Sequence, residues 1–473
     1  MKKLSLILTA ALGALSARAE GAPNIVFILA DDLGYGDLGC YNAESKIPTP
    51  ALDRLAAQGM RFTDAHSPGA VCVPTRYGIV TGRYPMRNTV QRKSSGGYAG
   101  MMIEPDRPTI ASVLAQEGYA CAAIGKWHLG MGDPMGEADF SKPVSPSAND
   151  LGFDYTFLEP ASLDIPPYLF VKNGMATAPL SREIGDSETP GARWAAGKFW
   201  RGGKIAEDFE MEKTLGTIVD EGIGFIQRRA DAARKDKPFF LYLALTAPHT
   251  PWLPEEGFRG RSGAGDYGDF VCQVDAEVAR FLDELDALRL ENNTLLVFSS
   301  DNGAFWIEDE IKQYGHRANG PFRGQKGDLH EGGHRMPFIV RWPGKVEAGA
   351  QSEALLCQTD LVRTFAAAAG SDVPEGAAED SIDQLAVFLG EVKSVRETLI
   401  VQGSSGKLAA RKGNWKFIPI LGSGGFTQPR LEKPKPDGPK AQLYDLANDP
   451  AESKNLWGEK SAIAAELAAL LDQ

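Results

Sequence analysis

Asn24-Ile25-Val26-Phe27-Ile28-Leu29-Ala30-Asp31-Asp32 decides how the rest of the chain is read. Its first seven residues form a near-continuous apolar run, the pattern of a strand buried on both faces of a parallel sheet. The run stops at two carboxylates. In open α/β sheets ligands sit beyond the carboxyl ends of the strands, so this strand delivers Asp31 and Asp32 to that edge.

Outward from this strand, segments alternate between helix and strand signals. Thr49 and Pro50 open a helix with good cap and N1 chemistry, Gly59 closes it, and Leu52, Leu55 and Ala56 form its apolar face. Residues 109–116 read as a second helix, 215–229 and 271–288 as longer amphipathic helices, and 359–369 as another. Strands are expected over 119–124, 239–244, 294–298 and 337–342. The alternation predicts an α/β fold with a large mixed, mostly parallel sheet sandwiched by helices. A Gly-rich acidic stretch at 370–380 marks a boundary. Beyond it come short strand-like runs at 397–402, 408–411 and 415–420, a Pro/Gly/Lys-rich loop at 422–440, Leu443-Tyr444-Asp445-Leu446, and a helix at 462–471. This predicts a small C-terminal α+β subdomain with a short antiparallel sheet. The expected division is 1–19, 20–390 and 391–473.

Residues 1–19 read as a cleaved export signal: Lys2 and Lys3, an apolar stretch, then Ala17-Arg18-Ala19. A periplasmic or secreted location follows, with no stable membrane insertion, because the apolar run is too short to span a bilayer. The 473 residues carry a net charge of −12, which becomes −15 when Lys2, Lys3 and Arg18 leave with the signal. So acidic a chain excludes nucleic acid as a partner and requires a local cation cluster for any anionic ligand. Five cysteines, widely and irregularly spaced, do not form a disulfide scaffold; Cys121 reads as a buried free thiol.

Three further groups fall just after expected strands. Lys126 and His128 follow the second strand, His249 the third, and Asp301 and Asn302 the fourth. An Asp-Asp pair alone is an ordinary cap or turn. With Asp301 and Asn302 in the same setting, Asp31 and Asp32 become an all-oxygen ligand set suited to a hard divalent cation, Ca²⁺ or Mg²⁺. Arg76, Lys126, His128, His249 and Lys326 make the cation cluster. Cys72 precedes a helix and sits at its positive end; as a thiol it is either a nucleophile of lowered pKa or a buried structural cysteine.

Cys72-Val73-Pro74-Thr75-Arg76 matches the C-x-P-x-R signature of type I sulfatases. Asp31-Asp32, Gly125-Lys126-Trp127-His128, Ala247-Pro248-His249 and Asp301-Asn302-Gly303 accompany it in the order such enzymes use. The chain therefore resembles the formylglycine-dependent, arylsulfatase-like sulfatases of the alkaline phosphatase superfamily. Val73 stands where the family usually has Ser, Ala or Thr, a small departure. The resemblance implies that a maturation enzyme oxidises Cys72 to Cα-formylglycine. It also implies that Ca²⁺, with Mg²⁺ as second choice, is held by Asp31, Asp32, Asp301, Asn302 and the modified residue 72. One hydroxyl of the formylglycine hydrate would attack sulfur with help from Asp301, while Lys326 and His249 meet the leaving alcohol. His128 would take the proton from the second hydroxyl, with Arg76 and Lys126 orienting the group. Ser162 aligns with a family serine that touches sulfate, so substrate contacts are expected from Ser162, Lys126, His249 and Lys326.

The implied activity is sulfate-ester hydrolysis on an aryl sulfate or a sulfated sugar, galactose or N-acetylgalactosamine type. The alternatives are a phosphate or phosphonate monoester hydrolase of the same superfamily and a non-catalytic binder of sulfated glycans. His330 and His334 are expected to make loop hydrogen bonds. The pairs Phe199-Trp200 and Phe305-Trp306 are candidate sugar platforms beside their reading as ordinary core or surface aromatics.

Overall fold

The computed structural model describes residues 21–90, 96–187 and 197–472. The expected export signal at 1–19 lies outside the described residues. The centre of a ten-stranded sheet is built from β1 (Asn24–Ala30), β2 (Ala120–Lys126), β3 (Phe239–Ala244) and β4 (Thr294–Ser300). Their spatial order is β4-β1-β3-β2 and all four run parallel. Val26 lies opposite Leu241 on one side and Leu296 on the other, so every residue of β1 is buried. That arrangement is why the sequence of β1 does not alternate. Tyr155–Glu159 extends the parallel set beyond β2. Antiparallel pairing takes over at the margins, with Phe338–Arg341 against β4 and Val171–Lys172 against Tyr155–Glu159. Because five parallel strands end together, their C-terminal residues meet at one edge.

Helices Pro50–Gln58, Thr214–Ala233 and Gly265–Ala287 form one packed group, and Cys72–Thr81, Ile110–Ala115 and Leu361–Ala369 another. Helix Gly265–Ala287 begins six residues before the expected start at 271. Gly263-Ala264-Gly265 reads locally as a loop, but burial of Tyr267 and Phe270 winds that stretch into the helix. Asp269 in that stretch accepts from the Gly260 and Ser262 N–H groups at 2.6 and 2.8 Å. Thr49 also differs from expectation, since its side chain makes no cap bond. The free amides of Ala51 and Leu52 are instead accepted by the Asp275 carboxylate at 3.1 and 2.8 Å, from the neighbouring helix. Among the described residues no helix is long and apolar enough to cross a membrane. All five cysteines are free.

The C-terminal part is a four-stranded antiparallel sheet of Thr398–Gln402, Leu408–Lys412, Trp415–Ile418 and Gln442–Asp445. Helix Ser461–Leu470 covers it over a small core of Ala410, Phe417, Leu443 and Leu467. This sheet docks on the large one partly through buried ions. Asp64 is held by Arg411 at 2.6 Å, His66 at 3.0 Å and Arg335 at 3.2 Å. Lys416 meets Glu331 at 2.9 Å and Glu452 at 3.0 Å. His66 and His334 face each other Nδ1 to Nδ1 at 3.0 Å. His66, Glu331 and His334 are close enough to share an ion. Lys416, Arg411 and Arg335 already supply the positive charge there, which makes the cluster a clasp rather than a metal centre. His330 bonds the Gln442 side chain at 3.3 Å and His334 the Leu329 carbonyl at 3.2 Å, as expected.

The clasp sets a pH dependence. Burial lowers the pKa of His66 and pushes that of His334 well below the ordinary imidazole range, the latter with help from Lys416. Both stay neutral in the fold while the unfolded chain protonates below pH ~6.5, so each removes up to about 1.4 kcal/mol of stability per pH unit below that point. Burial would raise Glu331, but Lys416 and the neighbouring cations hold it well below its usual value, so its contribution is also lost in acid. Burial raises Glu452 to about 7, which works in the opposite direction, but it is one group against two histidines. Thermal unfolding should therefore drop between pH 6.5 and 5.5, and His334→Gln should flatten that slope. An equal slope in the variant would assign the acid sensitivity elsewhere.

Candidate active site

The strand ends place the site. Asp31 and Asp32 follow β1, Lys126 closes β2, and Asp301 and Asn302 follow β4. His249 sits in the loop after β3, and Cys72 and Arg76 lie on α1 (Cys72–Thr81). All of them are buried. Cys72 is the first residue of α1, which starts earlier than the sequence suggested. Its Sγ lies 3.5 Å from both Asp31 Oδ1 and Lys126 Nζ.

Three carboxylates pair one to one with three permanent cations. Lys126 Nζ bonds Asp31 at 2.5 Å and Lys326 Nζ bonds Asp32 at 2.7 Å. Arg76 grips one oxygen of Asp301 with Nε at 3.0 Å and a terminal nitrogen at 2.8 Å. Its other terminal nitrogen donates to the Lys126 carbonyl at 2.8 Å, which fixes the end of β2. Asn302 Nδ2 donates to Asp32 at 2.6 Å, and His249 Nε2 stands 3.7 Å from Asp32. Every expected metal-binding residue thus enters one cluster, as do Arg76, Lys126, His249 and Lys326. His128 is half-buried within reach of its charge: desolvation first, then Lys126 and Arg76, push its imidazole well below the ordinary range. Ser162 joins indirectly by donating to Asp164, whose Oδ1 is 3.9 Å from His249 Nδ1.

Burial would raise the Asp31 carboxyl, but Lys126, His249 and Arg76 hold it below its ordinary value. Burial and the charge of Asp31 raise Asp301 despite Arg76. The Cys72 thiol is raised, chiefly by burial and then by Asp301. Of the two readings of the thiol, this favours the buried cysteine over the nucleophile of lowered pKa. The helix end and the two lysines do not outweigh desolvation and the carboxylates, so unmodified Cys72 is a poor nucleophile. Asp31, Asp32, Cys72 and His249 each bring one ligand atom within 4.8 Å of the others, a group close enough to hold a metal ion, and Asp301 and Asn302 border it through their bonds to Asp32. The Asn302 Oδ1 is buried with no hydrogen-bond partner among the described residues, a hard donor on the same amide whose Nδ2 meets Asp32.

Two residues of the site have strained backbones. Asp32 and His128 adopt left-handed conformations with φ of 63° and 56°. Each costs about 1–2 kcal/mol for a residue with a Cβ. The Asp32 N–H donates to Asp301 at 3.2 Å and the His128 N–H to the Pro160 carbonyl at 3.1 Å, which holds them there. A Cβ on Gly125, at φ 102°, would meet the Ala244 carbonyl oxygen at 1.9 Å, so close strand packing requires that glycine.

Several contributors escaped the sequence reading. Asp164 links Ser162, His249 and Arg201, the last at 2.6 Å; its two-residue spacing from Ser162 was the available signal. Glu159 closes the strand beside β2 with both oxygens unpartnered among the described residues, and burial raises it to about 8. Asp37 accepts from Tyr267 at 2.5 Å and pairs with His316 at 2.7 Å, bracing the loop behind Asp32. Nothing local marks Tyr267 or His316 for that task. Of the aromatic candidates, Trp306 is core, packed on Trp252, Tyr267 and Tyr314, whereas Phe199 and Phe305 are half-buried.

The comparisons with known proteins agree with this geometry. A family model described as Sulfatase matches residues 23–371. An N-acetylgalactosamine-6-O-sulfatase of Bacteroides thetaiotaomicron is 36% identical, over 95% of this chain and 92% of the relative. Arylsulfatase A of Homo sapiens is 33% identical, over 99% and 89%. A solved structure concerned with the metabolism of multiple glycosaminoglycans by Bacteroides thetaiotaomicron superposes with a TM-score of 0.84 at 34% identity, over 96% of this chain and 99% of that one. Ps i-CgsB in complex with k-i-k-neocarrahexaose superposes with a TM-score of 0.71 at 25% identity, over 95% and 92%. The chain belongs to the sulfatase family. It is a hydrolase of sulfuric esters.

Removing one partner of a buried pair leaves the other charge uncompensated. Arg76→Met should therefore lower the unfolding free energy in urea by about 3–5 kcal/mol. A loss under 1 kcal/mol would show that Arg76 does not balance Asp301.

Proposed function

We propose that this chain removes sulfate from a sulfated sugar of the N-acetylgalactosamine or galactose type, through a formylglycine made from Cys72. The observation that carries this reading is the position of Cys72 Sγ, 3.5 Å from both Asp31 and Lys126, at the start of α1. The relatives named for N-acetylgalactosamine sulfate support the sugar type. The reading includes a catalytic unit over 20–390 and a subdomain over 391–473. It also includes an export signal at 1–19 with a periplasmic or secreted destination, and a maturation enzyme that oxidises Cys72.

Asp31, Asp32, Asp301, Asn302 and modified residue 72 would hold Ca²⁺, with Mg²⁺ second, because irregular all-oxygen sets suit the larger ion. Arg76, Lys126 and Lys326 only balance the three carboxylates, so a divalent cation would bring the centre to a net charge of about +2, suited to a monoanionic sulfate ester. The formylglycine hydrate supplies one hydroxyl for attack on sulfur and a second for releasing sulfate. Asp301, whose charge bears on residue 72, accepts the proton of the attacking hydroxyl. Lys326 and His249 converge on Asp32 and meet the leaving oxygen, where negative charge develops. His128 stays a neutral base because burial and the cations disfavour its protonation, so it takes the second hydroxyl's proton. Ser162 and Lys126 contact the sulfate, and Arg76 and Lys126 orient the modified residue.

Two experiments test this. In protein co-expressed with a formylglycine-generating enzyme, the Cys72 peptide should lose about 18 Da as thiol becomes aldehyde. That protein should release sulfate from N-acetylgalactosamine 6-sulfate, and Cys72→Ala should abolish turnover with the fold intact. Normal turnover in Cys72→Ala would overturn the assignment. Asp301→Ala should remove Ca²⁺ binding, read by calorimetry, together with activity. Unchanged metal binding would show that the carboxylates do a different job.

A further inference from the structure

We propose that residues 423–440 of the C-terminal part form a tongue that binds an anionic sugar unit flanking the sulfated one, so that the preferred substrate is a charged oligosaccharide rather than a monosaccharide sulfate. This rests on the proposed sulfatase reading and adds the partner of a surface beside its site.

The base of the tongue is seated against the backbone that carries Lys326. Thr427 N–H donates to Asp328 Oδ1 at 3.0 Å, and Gln325 Nε2 donates to the Thr427 hydroxyl at 3.2 Å. A Cβ on Gly425 would meet the Gly327 carbonyl oxygen at 2.1 Å, and a Cβ on Gly327 would strike the Phe426 ring at 2.9 Å. The Gly327 N–H in turn donates to the Ala70 carbonyl at 2.7 Å, two residues before Cys72. Phe426 packs edge-on against Phe305 with ring centroids 6.1 Å apart, and Lys326 N–H bonds the carbonyl of Ala304 next door at 3.1 Å. Both rings are half-buried. A two-ring platform therefore stands beside the lysine that meets the leaving oxygen, on the side where the sulfated sugar and a neighbour joined to it through another of its hydroxyls would lie.

The charge of the tongue favours an anion. The Arg430 guanidinium lies over the Phe426 ring, 6.0 Å from its centroid. Arg430, Lys433, Lys435 and Lys440 are exposed and outnumber Glu432 and Asp437, on a chain whose net charge is −12. None of the four cations makes an ion pair among the described residues. Arg201, the other arginine over an aromatic ring near the site, is already neutralised by Asp164. Pro434, Pro436 and Pro439 restrict the backbone of the exposed part, which lowers the entropy lost when a ligand orders it. A guanidinium stacked on an aromatic face keeps its edge donors free for a carboxylate or sulfate.

The test compares the matured full-length enzyme on N-acetylgalactosamine 6-sulfate, on an oligosaccharide whose only sulfate is on the reacting sugar and whose neighbour is neutral, and on the same oligosaccharide with a uronate or sulfated neighbour. Arg430→Ala should raise KM on the charged oligosaccharide roughly ten-fold, the size of one charge-assisted hydrogen bond, and leave the other two substrates within two-fold. The combined Lys433→Ala, Lys435→Ala and Lys440→Ala variant should lose most of the salt dependence of that KM. Equal losses on all three substrates, or no loss on the charged one, would overturn the tongue while leaving the sulfatase reading intact. Failure of every substrate would count against the sulfatase reading. Calorimetric binding of the charged oligosaccharide, with and without Arg430→Ala, then decides the tongue separately.

Discussion

The structure depends on the pairing of three buried carboxylates with three buried cations at the carboxyl edge of the parallel sheet. Asp31 with Lys126, Asp32 with Lys326 and Asp301 with Arg76 are each bonded at 3.0 Å or less. No one of these charges is tolerable there alone, because burial penalises Asp31, Asp301, Lys126, Lys326 and Arg76 alike. The pairs bring together residues up to 294 positions apart. That is possible because β1, β2, β3 and β4 run parallel in register and end on one line. Such a cluster does little for stability beyond avoiding its own penalty. Its value is a concentration of oriented charge in a dry place, which an anionic ester and a divalent cation both need.

The surroundings hold this cluster rigidly. Asp32 and His128 occupy strained backbone conformations, and each is held by a hydrogen bond from its own amide. Tyr267 and His316 converge on Asp37 behind the Asp32 loop, so a helix far along the chain supports the first strand's ligands. The same helix caps Pro50–Gln58 through Asp275. One amphipathic helix therefore carries packing, capping and site support on different faces, which explains why its first two turns form despite their glycines.

The C-terminal sheet has its own small core, yet it is not an appendage. Its loop at Gly425-Phe426-Thr427 lies against Gly327 and Asp328, and Ser404 N–H bonds the Gly327 carbonyl at 2.9 Å. The segment carrying Lys326 is thus clamped between the catalytic sheet and the small one. The clasp of Asp64, His66, Glu331, His334, Arg411 and Lys416 secures the same interface with buried charge. Docking of the small sheet and placement of a lysine at the site are one structural event.

Local pattern specifies the strand core and the chemistry at the strand ends. The unbroken apolar run of β1 can only be buried on both faces, and a motif at a strand terminus has its position set by the strand. Hence Asp31, Asp32, Lys126, Asp301 and Asn302 were legible from local pattern, as were Cys72 and Arg76 from the signature the chain shares with sulfatases. Tertiary structure decided what local pattern cannot encode. It set the partner of each charge, the raised thiol of Cys72, the start of helix Gly265–Ala287 at Gly265, and the roles of Asp37, Asp164, Tyr267 and His316. The physical reason is that burial and Coulomb interactions depend on distance through space. Residues hundreds of positions apart set the pKa and geometry of a side chain whose own neighbours in sequence carry no trace of them.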